Sequence, residues 1–273
     1  MSKALAALLP EGESQGPWIT LEALRRQAPT VQTITDFAAI DLAAGLLLAV
    51  GAAPVTLRAP EEVEDFVGFA DALTVNIGTL SAAMIDPMAA AAHEAVAQGK
   101  PWVLDPVGAG TTAFRAEAAK RLSGLQPSVI RGNGAEILAL GGGQTEFGHD
   151  AEIDSVEALD AAYDLARATG AVVAVTGPVD YITDGRNIVA VANGDHLMTR
   201  VSALGCALNC VISACCAVEE NAVAATANAL AIVGVAGEIA AAEAMGPGSF
   251  RPCLIDALYN LDEATLNGAA RIQ

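Results

Sequence analysis

The stretch WVLDPVG, residues 102–108, joins a short apolar run to an acidic turn. Similar runs recur along the chain, at LTVNIG (73–78), SVIRGN (128–133) and AVVAVTG (171–177). Between them the apolar residues follow helical spacing, and helices are expected up to about residue 98, through residue 121 and over residues 155–169. Short strands that alternate with longer helices predict an α/β fold with a mostly parallel sheet and helices on both faces.

The rest of the chain extends this pattern without a break in composition. YITDG and NIVAVANGD, residues 181–185 and 187–195, predict a hairpin, and two helices are expected to start near Gly205 and Asn221. Of the 273 residues, 53% are hydrophobic, and no linker-like segment divides them. A chain of this length can bury one large core, so residues 1–273 are predicted to form a single domain.

Charge and cysteine usage restrict the possible partners and location. Lys and Arg number 14 against 32 Asp and Glu, which gives a net charge of −18. Such a field repels nucleic acids and anionic membranes, so neither is expected as a partner. The apolar patch in MSKALAALLPEGES is too short for a signal sequence. The Ala-rich stretch 221–245 carries two glutamates, so it is not expected to span a membrane. Five cysteines, four of them in one expected helix, indicate reduced thiols and a cytoplasmic protein.

Polar residues stand where the central strands are expected to end. The strand ends carry Asn76, Asp105, Arg131 and Thr176, each followed within three residues by a glycine. Any one of them alone is typical of an ordinary turn. Because ligands of open α/β sheets bind at the carboxyl ends of the strands, the four together favour a ligand-binding cleft.

The residue types at this edge suit a nucleotide and its metal ion. Asp105 and Glu136 offer hard oxygen donors for Mg²⁺, directly or through water. Arg131 offers a planar fork for phosphate, and Thr176 offers a hydroxyl group. Gly205 and the residue after it, at the start of a helix, present backbone N–H groups to a phosphoryl group. The sequence contains neither a Walker A motif nor GxGxxG, so a nucleotide must be bound in another way.

Several segments in order resemble one known family. They are VQTITDFAAIDLAAGLLLAVGAAPV, ALTVNIGTLS, VLDPVGAGTTAFR, VIRGNGAEILAL, VAVTGPVDYITDG, CAVEENAVAA and GPGSF. Over about residues 24–250 the chain resembles hydroxyethylthiazole kinases of thiamine salvage, which have the ribokinase-like three-layer fold. The resemblance implies ATP- and Mg²⁺-dependent phosphorylation of the hydroxyl group of 4-methyl-5-(2-hydroxyethyl)thiazole. It also implies a homotrimer whose active sites lie between subunits.

The resemblance also implies roles for individual residues. Arg131 and Thr176 match residues that contact ATP, and Asp105 with Glu136 match the acids that hold the metal and phosphates. Cys206, beside Gly205, matches the catalytic cysteine, at the position where sugar kinases of the wider fold have an aspartate base. A thiol pKa of about 8.5 is lowered at a helix N-terminus. Since phosphoryl transfer depends mainly on positioning, Cys206 is expected to face the substrate hydroxyl and to matter more for the room it leaves than for basicity.

Three positions depart from the family pattern in the predicted acceptor pocket. The family's Thr-Gly-x-Gly-Cys reads SALGC over residues 202–206, so Ala203 replaces a glycine. Asp36 replaces an asparagine and Thr56 a methionine. These substrate-binding positions leave two alternatives open, which are a kinase for another small heterocyclic alcohol, such as a hydroxymethylpyrimidine or a modified thiazole, and a weakly active sensor of nucleotide or thiazole. The helix-opening loop needs a positive φ at some residue. Either this conformation is required at Ala203, where alanine disfavours it, or Gly205 alone adopts it.

Overall fold

A computed structural model describes residues 16–143 and 153–273. The N-terminal segment considered above therefore lies outside the described residues. An eight-stranded sheet forms the centre of the protein. Its strands are β1 (Thr30–Ile34), β2 (Ala53–Thr56), β3 (Ala72–Asn76), β4 (Trp102–Asp105), β5 (Val129–Asn133), β6 (Val172–Thr176), β7 (Asp180–Thr183) and β8 (Ile188–Val191).

Helices connect and cover these strands. The α-helices are α1 (Pro17–Gln27), α2 (Ile40–Val50), α3 (Ala82–Ala97), α4 (Ala113–Ser123), α5 (Gly134–Leu140), α6 (Leu159–Thr169), α7 (Leu204–Val218), α8 (Ala222–Glu243), α9 (Pro247–Asn260) and α10 (Glu263–Ala269). Short 3₁₀ turns cover Asp65–Gly68, Ser155–Ala158 and His196–Arg200. The helix expected over residues 155–169 is thus a 3₁₀ turn that continues into α6.

The strand order is β2-β1-β3-β4-β5-β6-β7-β8, and the first six strands are parallel. The hairpin β7–β8 extends the sheet in the antiparallel sense. In the register of β3 and β4, Asn76 lies opposite Asp105, and in that of β5 and β6, Asn133 lies opposite Thr176. The polar strand ends therefore stand level at one edge, as the sequence predicts.

Two helical layers sandwich the sheet. One face packs against α2, α7 and α8, and α1, α9 and α10 pack against these helices. The other face packs against α3 to α6. Helix α8 is long and apolar enough to cross a membrane, but 78% of its most apolar window is buried inside the protein. It is a core helix because α7, α9 and the hairpin strands cover it. The predicted three-layer α/β fold with a mostly parallel sheet is confirmed.

The predicted central strands, the hairpin and the helices α7 and α8 are present, but the prediction omitted two strands. Strands β1 and β2 were not expected because their sequences, TVQTI and APVT, lack a continuous apolar run. Gln32 and Thr33 of β1 are nevertheless fully buried. The Gln32 side-chain amide donates to the Val63 carbonyl at 2.6 Å, and a distant partner of this kind leaves no signal in the local pattern. Helices α1, α2, α5, α9 and α10 were also not predicted.

Candidate active site

The carboxyl ends of β3 to β6 and the first turn of α7 meet in one cleft. The Asn76 amide donates to Asp105 Oδ2, while its Oδ1 accepts from the Gly78 N–H at 2.7 Å. On the next pair of strands, Arg131 Nη2 donates to Thr176 Oγ1 at 2.6 Å. The structure therefore brings together the side chains that the sequence placed at separate strand ends.

Asp105 is the most perturbed carboxyl group of this cleft. It is 1% exposed. Burial raises its pKa from 3.8 to about 7, and the nearby Glu136 carboxylate adds to the shift while Arg131 opposes it. A buried carboxyl group that faces a second carboxylate is stabilised in its charged form by a bound cation. Asp105 therefore offers an oxygen ligand to a cation, although the described residues contain no group of three or more His, Cys, Asp or Glu side chains placed to hold a metal ion.

Glu136 joins two of the loops around the cleft. Its Oε1 accepts from the Gly108 N–H at 3.0 Å, and its Oε2 accepts from the Asn133 N–H at 2.9 Å. The second bond is half of a capping box, since the Asn133 side chain accepts from the Glu136 N–H at 2.9 Å. Each oxygen keeps a lone pair, so Glu136 fits an outer position that acts on the metal through water.

Arg131 is placed to bind an anion. Its guanidinium is half-buried, and its Nε is buried without a hydrogen-bond partner among the described residues. A buried donor without a partner costs free energy, and a phosphate oxygen is a suitable acceptor for it. Thr176, which accepts from this guanidinium, lies at the end of β6 beside the exposed Gly177.

The opening of α7 differs from both expectations for its loop. Ala203, the residue before the helix, adopts the left-handed conformation with φ = 62° and ψ = 13°. Gly205 is helical and has no positive φ, so the expectation that Gly205 alone takes the strained conformation is wrong. A Cβ at Gly205 would lie 2.7 Å from Arg131 Nη1. This glycine is needed for the close approach of the guanidinium to the helix.

Cys206 lies half-buried in the first turn of α7 and donates from Sγ to Asp36 Oδ2 at 3.3 Å. Burial raises the pKa of this thiol well above its usual range, and the negative charges of Asp105 and Asp36 raise it further. The expectation that the helix N-terminus lowers this pKa is therefore wrong. Desolvation and two neighbouring carboxylates outweigh the helix dipole.

The predicted acceptor residues are only partly brought together. Asp36 is 8% exposed, and its Oδ1 accepts from the Ala39 N–H at 2.8 Å while Oδ2 faces Cys206. Thr56 lies at the end of the edge strand β2, where its hydroxyl pairs with that of Thr33 at 2.9 Å. Asp36 thus belongs to the same cluster as Cys206, whereas Thr56 lies farther along this edge.

Arg115 holds the cleft together and gave no signal in the sequence. Its Nη1 donates to the Ile77 carbonyl at 2.6 Å and to the Val107 carbonyl at 3.0 Å. Its Nη2 donates to the Gly78 carbonyl at 2.7 Å. These bonds join the loops after β3 and β4. An arginine on a helix is usually an exposed residue, so only the tertiary structure reveals this role.

Two further polar residues near the site were missed. Asn209, one turn after Cys206, is fully buried beside Asp105 and lowers the pKa of that carboxyl group. Asp180 accepts from the Gly177 N–H at 3.0 Å, and burial raises its pKa to about 6. The turn GPVD after β6 was the available signal for Asp180. The remaining cysteines of α7, at positions 210, 215 and 216, are buried and free.

Known proteins are similar to this chain in sequence and in fold. Residues 21–264 match the model of the hydroxyethylthiazole kinase family. A hydroxyethylthiazole kinase of Cereibacter sphaeroides is 49% identical over 254 residues, which cover 93% of this chain and 97% of the relative. The corresponding protein of Rhizobium etli is 49% identical over 254 residues, with 92% and 98% covered.

Solved structures of similar proteins support the same family and the same fold. The structure of the hydroxyethylthiazole kinase protein from Pyrococcus horikoshii has a TM-score of 0.86 and 39% identity, and the match covers 94% of this chain and 98% of that one. A pyridoxal kinase of Staphylococcus aureus has a TM-score of 0.61 at 16% identity, covering 90% and 98%, and this likeness concerns the fold alone. On these matches, together with the cleft at the strand ends, the chain belongs to the hydroxyethylthiazole kinase family.

Proposed function

We propose that this chain transfers the γ-phosphoryl group of ATP to the hydroxyl group of 4-methyl-5-(2-hydroxyethyl)thiazole in thiamine salvage. The enzyme class follows from the family and from relatives that are 49% identical over nearly their whole length. The observation that carries the proposed site is the meeting of Asp105, Arg131 and the α7 opening in one cleft, because it joins a cation position to an anion position.

Arg131 and Thr176 form the ATP side of the proposed site. The Arg131 Nε has no partner within the described chain, and Thr176 fixes the guanidinium through the 2.6 Å bond. A guanidinium held in this way binds phosphate with little loss of side-chain freedom. Gly205 belongs to this side too, since its missing side chain lets Arg131 reach the helix start.

Asp105 would hold Mg²⁺, and Glu136 would act on the ion through water. The raised pKa of Asp105 reflects a charge that burial and Glu136 disfavour in the absence of a cation. When bound, the ion supplies neutralisation of the phosphate oxygens. Glu136 also keeps the loops after β4 and β5 in place through its two backbone hydrogen bonds.

The acceptor side is proposed to contain Asp36, Thr56, Ala203 and Cys206. The buried carboxylate of Asp36 favours a second candidate function, the phosphorylation of another heterocyclic alcohol that offers a hydrogen-bond donor. Ala203 already holds the left-handed conformation that a glycine would adopt there. That geometry favours a loop that supports catalysis, and therefore an active kinase rather than a weakly active sensor.

The proposed assembly is a homotrimer in the cytoplasm, with sites between subunits and no nucleic acid or membrane partner. Phe37, 65% exposed, lies in the loop after β1, and Leu48, 63% exposed, lies in α2, which packs against the edge strand β2. Arg58 stacks on the Phe37 ring at 4.0 Å. Apolar groups beside the acceptor side suit a subunit contact. The charge of −18 and five free cysteines suit a reducing compartment without anionic partners.

A coupled assay of ADP release over a panel of alcohols tests the proposed function. The thiazole alcohol should give the highest kcat/KM, and activity should require Mg²⁺. A higher value for a pyrimidine or a modified thiazole would support the second candidate, and nucleotide binding without turnover on any alcohol would support the sensor. Light scattering of the purified protein tests the trimer, and a mass of one or two chains would contradict it.

A further inference from the structure

Two groups in the cleft are arranged as a hydrogen-bonded pair. Cys206 Sγ and Asp36 Oδ2 lie 3.3 Å apart, although the residues are 170 positions apart in the chain. The thiol can only donate to a carboxylate, so in this contact Cys206 keeps its proton and Asp36 is the acceptor. A neutral thiol that already donates its proton to an acid is unsuited to take a second proton from a substrate.

Asp36 is held in place by the backbone around it. Its Oδ1 accepts from the Ala39 N–H at 2.8 Å, which fixes the plane of the carboxylate. Gly78 closes the other side, because a Cβ there would lie 2.7 Å from Asp36 Oδ2 and 2.8 Å from Asn76 Oδ1. The side chain is 8% exposed, and its Oδ2 lies against Cys206 Sγ.

The other carboxylates of the cleft have additional partners. Asp105 accepts from the Asn76 amide and faces Arg131 and Glu136, and Glu136 accepts two backbone N–H groups. Asp36 accepts directly from the thiol in the first turn of α7. Asp105 also interacts with that thiol, but it lies beside Glu136 and Arg131 on the proposed metal side. The Arg58 guanidinium nearby is bound to the Thr35 carbonyl and stacked on Phe37.

We propose that Asp36 is the general base of the reaction, and that Cys206 serves as its hydrogen-bond partner. The inference rests on the proposed function. The proton of the acceptor hydroxyl passes to an Asp36 oxygen while the hydroxyl oxygen bonds to the γ-phosphorus of ATP. The bond from that phosphorus to the bridging oxygen breaks, and ADP leaves with the electron pair. The proton on Asp36 is later released to solvent.

Asp36→Asn is the primary test because it keeps the size of the side chain and the acceptor for the Ala39 N–H. A general base contributes about 10²- to 10⁴-fold to the rate, so kcat should fall at least about 100-fold while KM for ATP changes less than about twofold. Cys206→Ala removes only the partner, and kcat should fall no more than about tenfold. Asp41→Asn makes the same chemical change at an exposed residue of α2 and should leave kcat unchanged.

Chemical rescue separates a base from a residue that only binds or supports. Asp36→Ala leaves a space beside Cys206 that formate can enter, and formate should raise its kcat in proportion to concentration. The same formate should not raise the kcat of Cys206→Ala. Melting temperatures and ATP binding by calorimetry show that each variant is folded.

Three results would overturn the base role. They are an Asp36→Asn variant with more than a tenth of the parent kcat, a loss confined to KM for the alcohol, and an Asp36→Ala variant that formate leaves unchanged. The proposed function is tested separately in the parent. Turnover with a different alcohol contradicts the substrate, and the variants are then compared on that alcohol. A parent that turns over no alcohol contradicts both proposals.

Discussion

Gly205→Ala tests how the opening of α7 and Arg131 depend on each other. The added Cβ would lie 2.7 Å from Arg131 Nη1, whereas ordinary contacts begin at 3.4 Å. The guanidinium must therefore retreat by about 0.7 Å, the difference of those two distances. Its 2.6 Å bond to Thr176 must lengthen or rotate as a result. The fold itself should tolerate the change, because Gly205 is helical and alanine is the better helix former.

The cost should appear in nucleotide use. A misplacement of about 1 Å in an active site can cost about 10²-fold, so we expect kcat/KM for ATP to fall about 10- to 100-fold. This corresponds to about 1.4–2.7 kcal/mol. Most of the loss should be in KM for ATP, since Arg131 is proposed to contact phosphate before and during transfer. Steady-state kinetics with varied ATP at saturating alcohol measure it.

Two controls make the result decisive. Gly248→Ala is the same change in α9, where an added Cβ meets nothing within 4 Å, and it should leave KM unchanged. In an Arg131→Ala background, Gly205→Ala should have little further effect, because the group it displaces is gone. An unchanged KM for ATP in the single variant, with normal melting, would refute the reasoning and remove Arg131 from the nucleotide site.

Three further predictions concern Asp105, Ala203 and Arg115. Asp105→Asn should raise the Mg²⁺ concentration for half-maximal rate. Because folding raises the Asp105 pKa from 3.8 to about 7, the parent's free energy of unfolding falls as pH rises through this range. The variant lacks this carboxyl group. Without Mg²⁺, its melting temperature should therefore exceed that of the parent by more at pH 8 than at pH 5. Ala203→Gly relieves a left-handed alanine and should raise the melting temperature by about 1–4 °C. Ala28→Gly, which relieves a left-handed alanine far from the site, should have the same effect on the melting temperature. If kcat rises in Ala203→Gly but not in Ala28→Gly, the loop limits the rate. Arg115→Ala breaks three hydrogen bonds to backbone carbonyls and should lower the free energy of unfolding, measured by urea denaturation, by about 2–3 kcal/mol. Arg121→Ala on the same helix loses an exposed ion pair and should lower it by under about 1 kcal/mol. Equal losses would contradict the proposed role of Arg115 in joining the loops.

The sequence alone determined the central strands that position the site. Apolar runs of strand length that end on Asp105, Arg131 and Thr176 carry their signal locally, because these central strands are apolar along their length and their polar residues stand at their ends. The same kind of local pattern predicted α7 and placed four of the cysteines in it. Strands β1 and β2 were missed because their polar residues have partners far along the chain, such as the Val63 carbonyl for the Gln32 side-chain N–H.

Only the tertiary structure decided the chemistry of the cleft. The pKa of Cys206 depends on burial and on two carboxylates from other elements, so its position at a helix start gave the wrong direction. The contact between Asp36 and Cys206 and the brace formed by Arg115 join residues that lie far apart in sequence. The left-handed conformation of Ala203 is likewise imposed by its surroundings against the preference of the residue. Periodicity reports which face of an element is buried, whereas charge, strain and hydrogen bonding depend on which elements meet, and that is fixed only when the chain has folded.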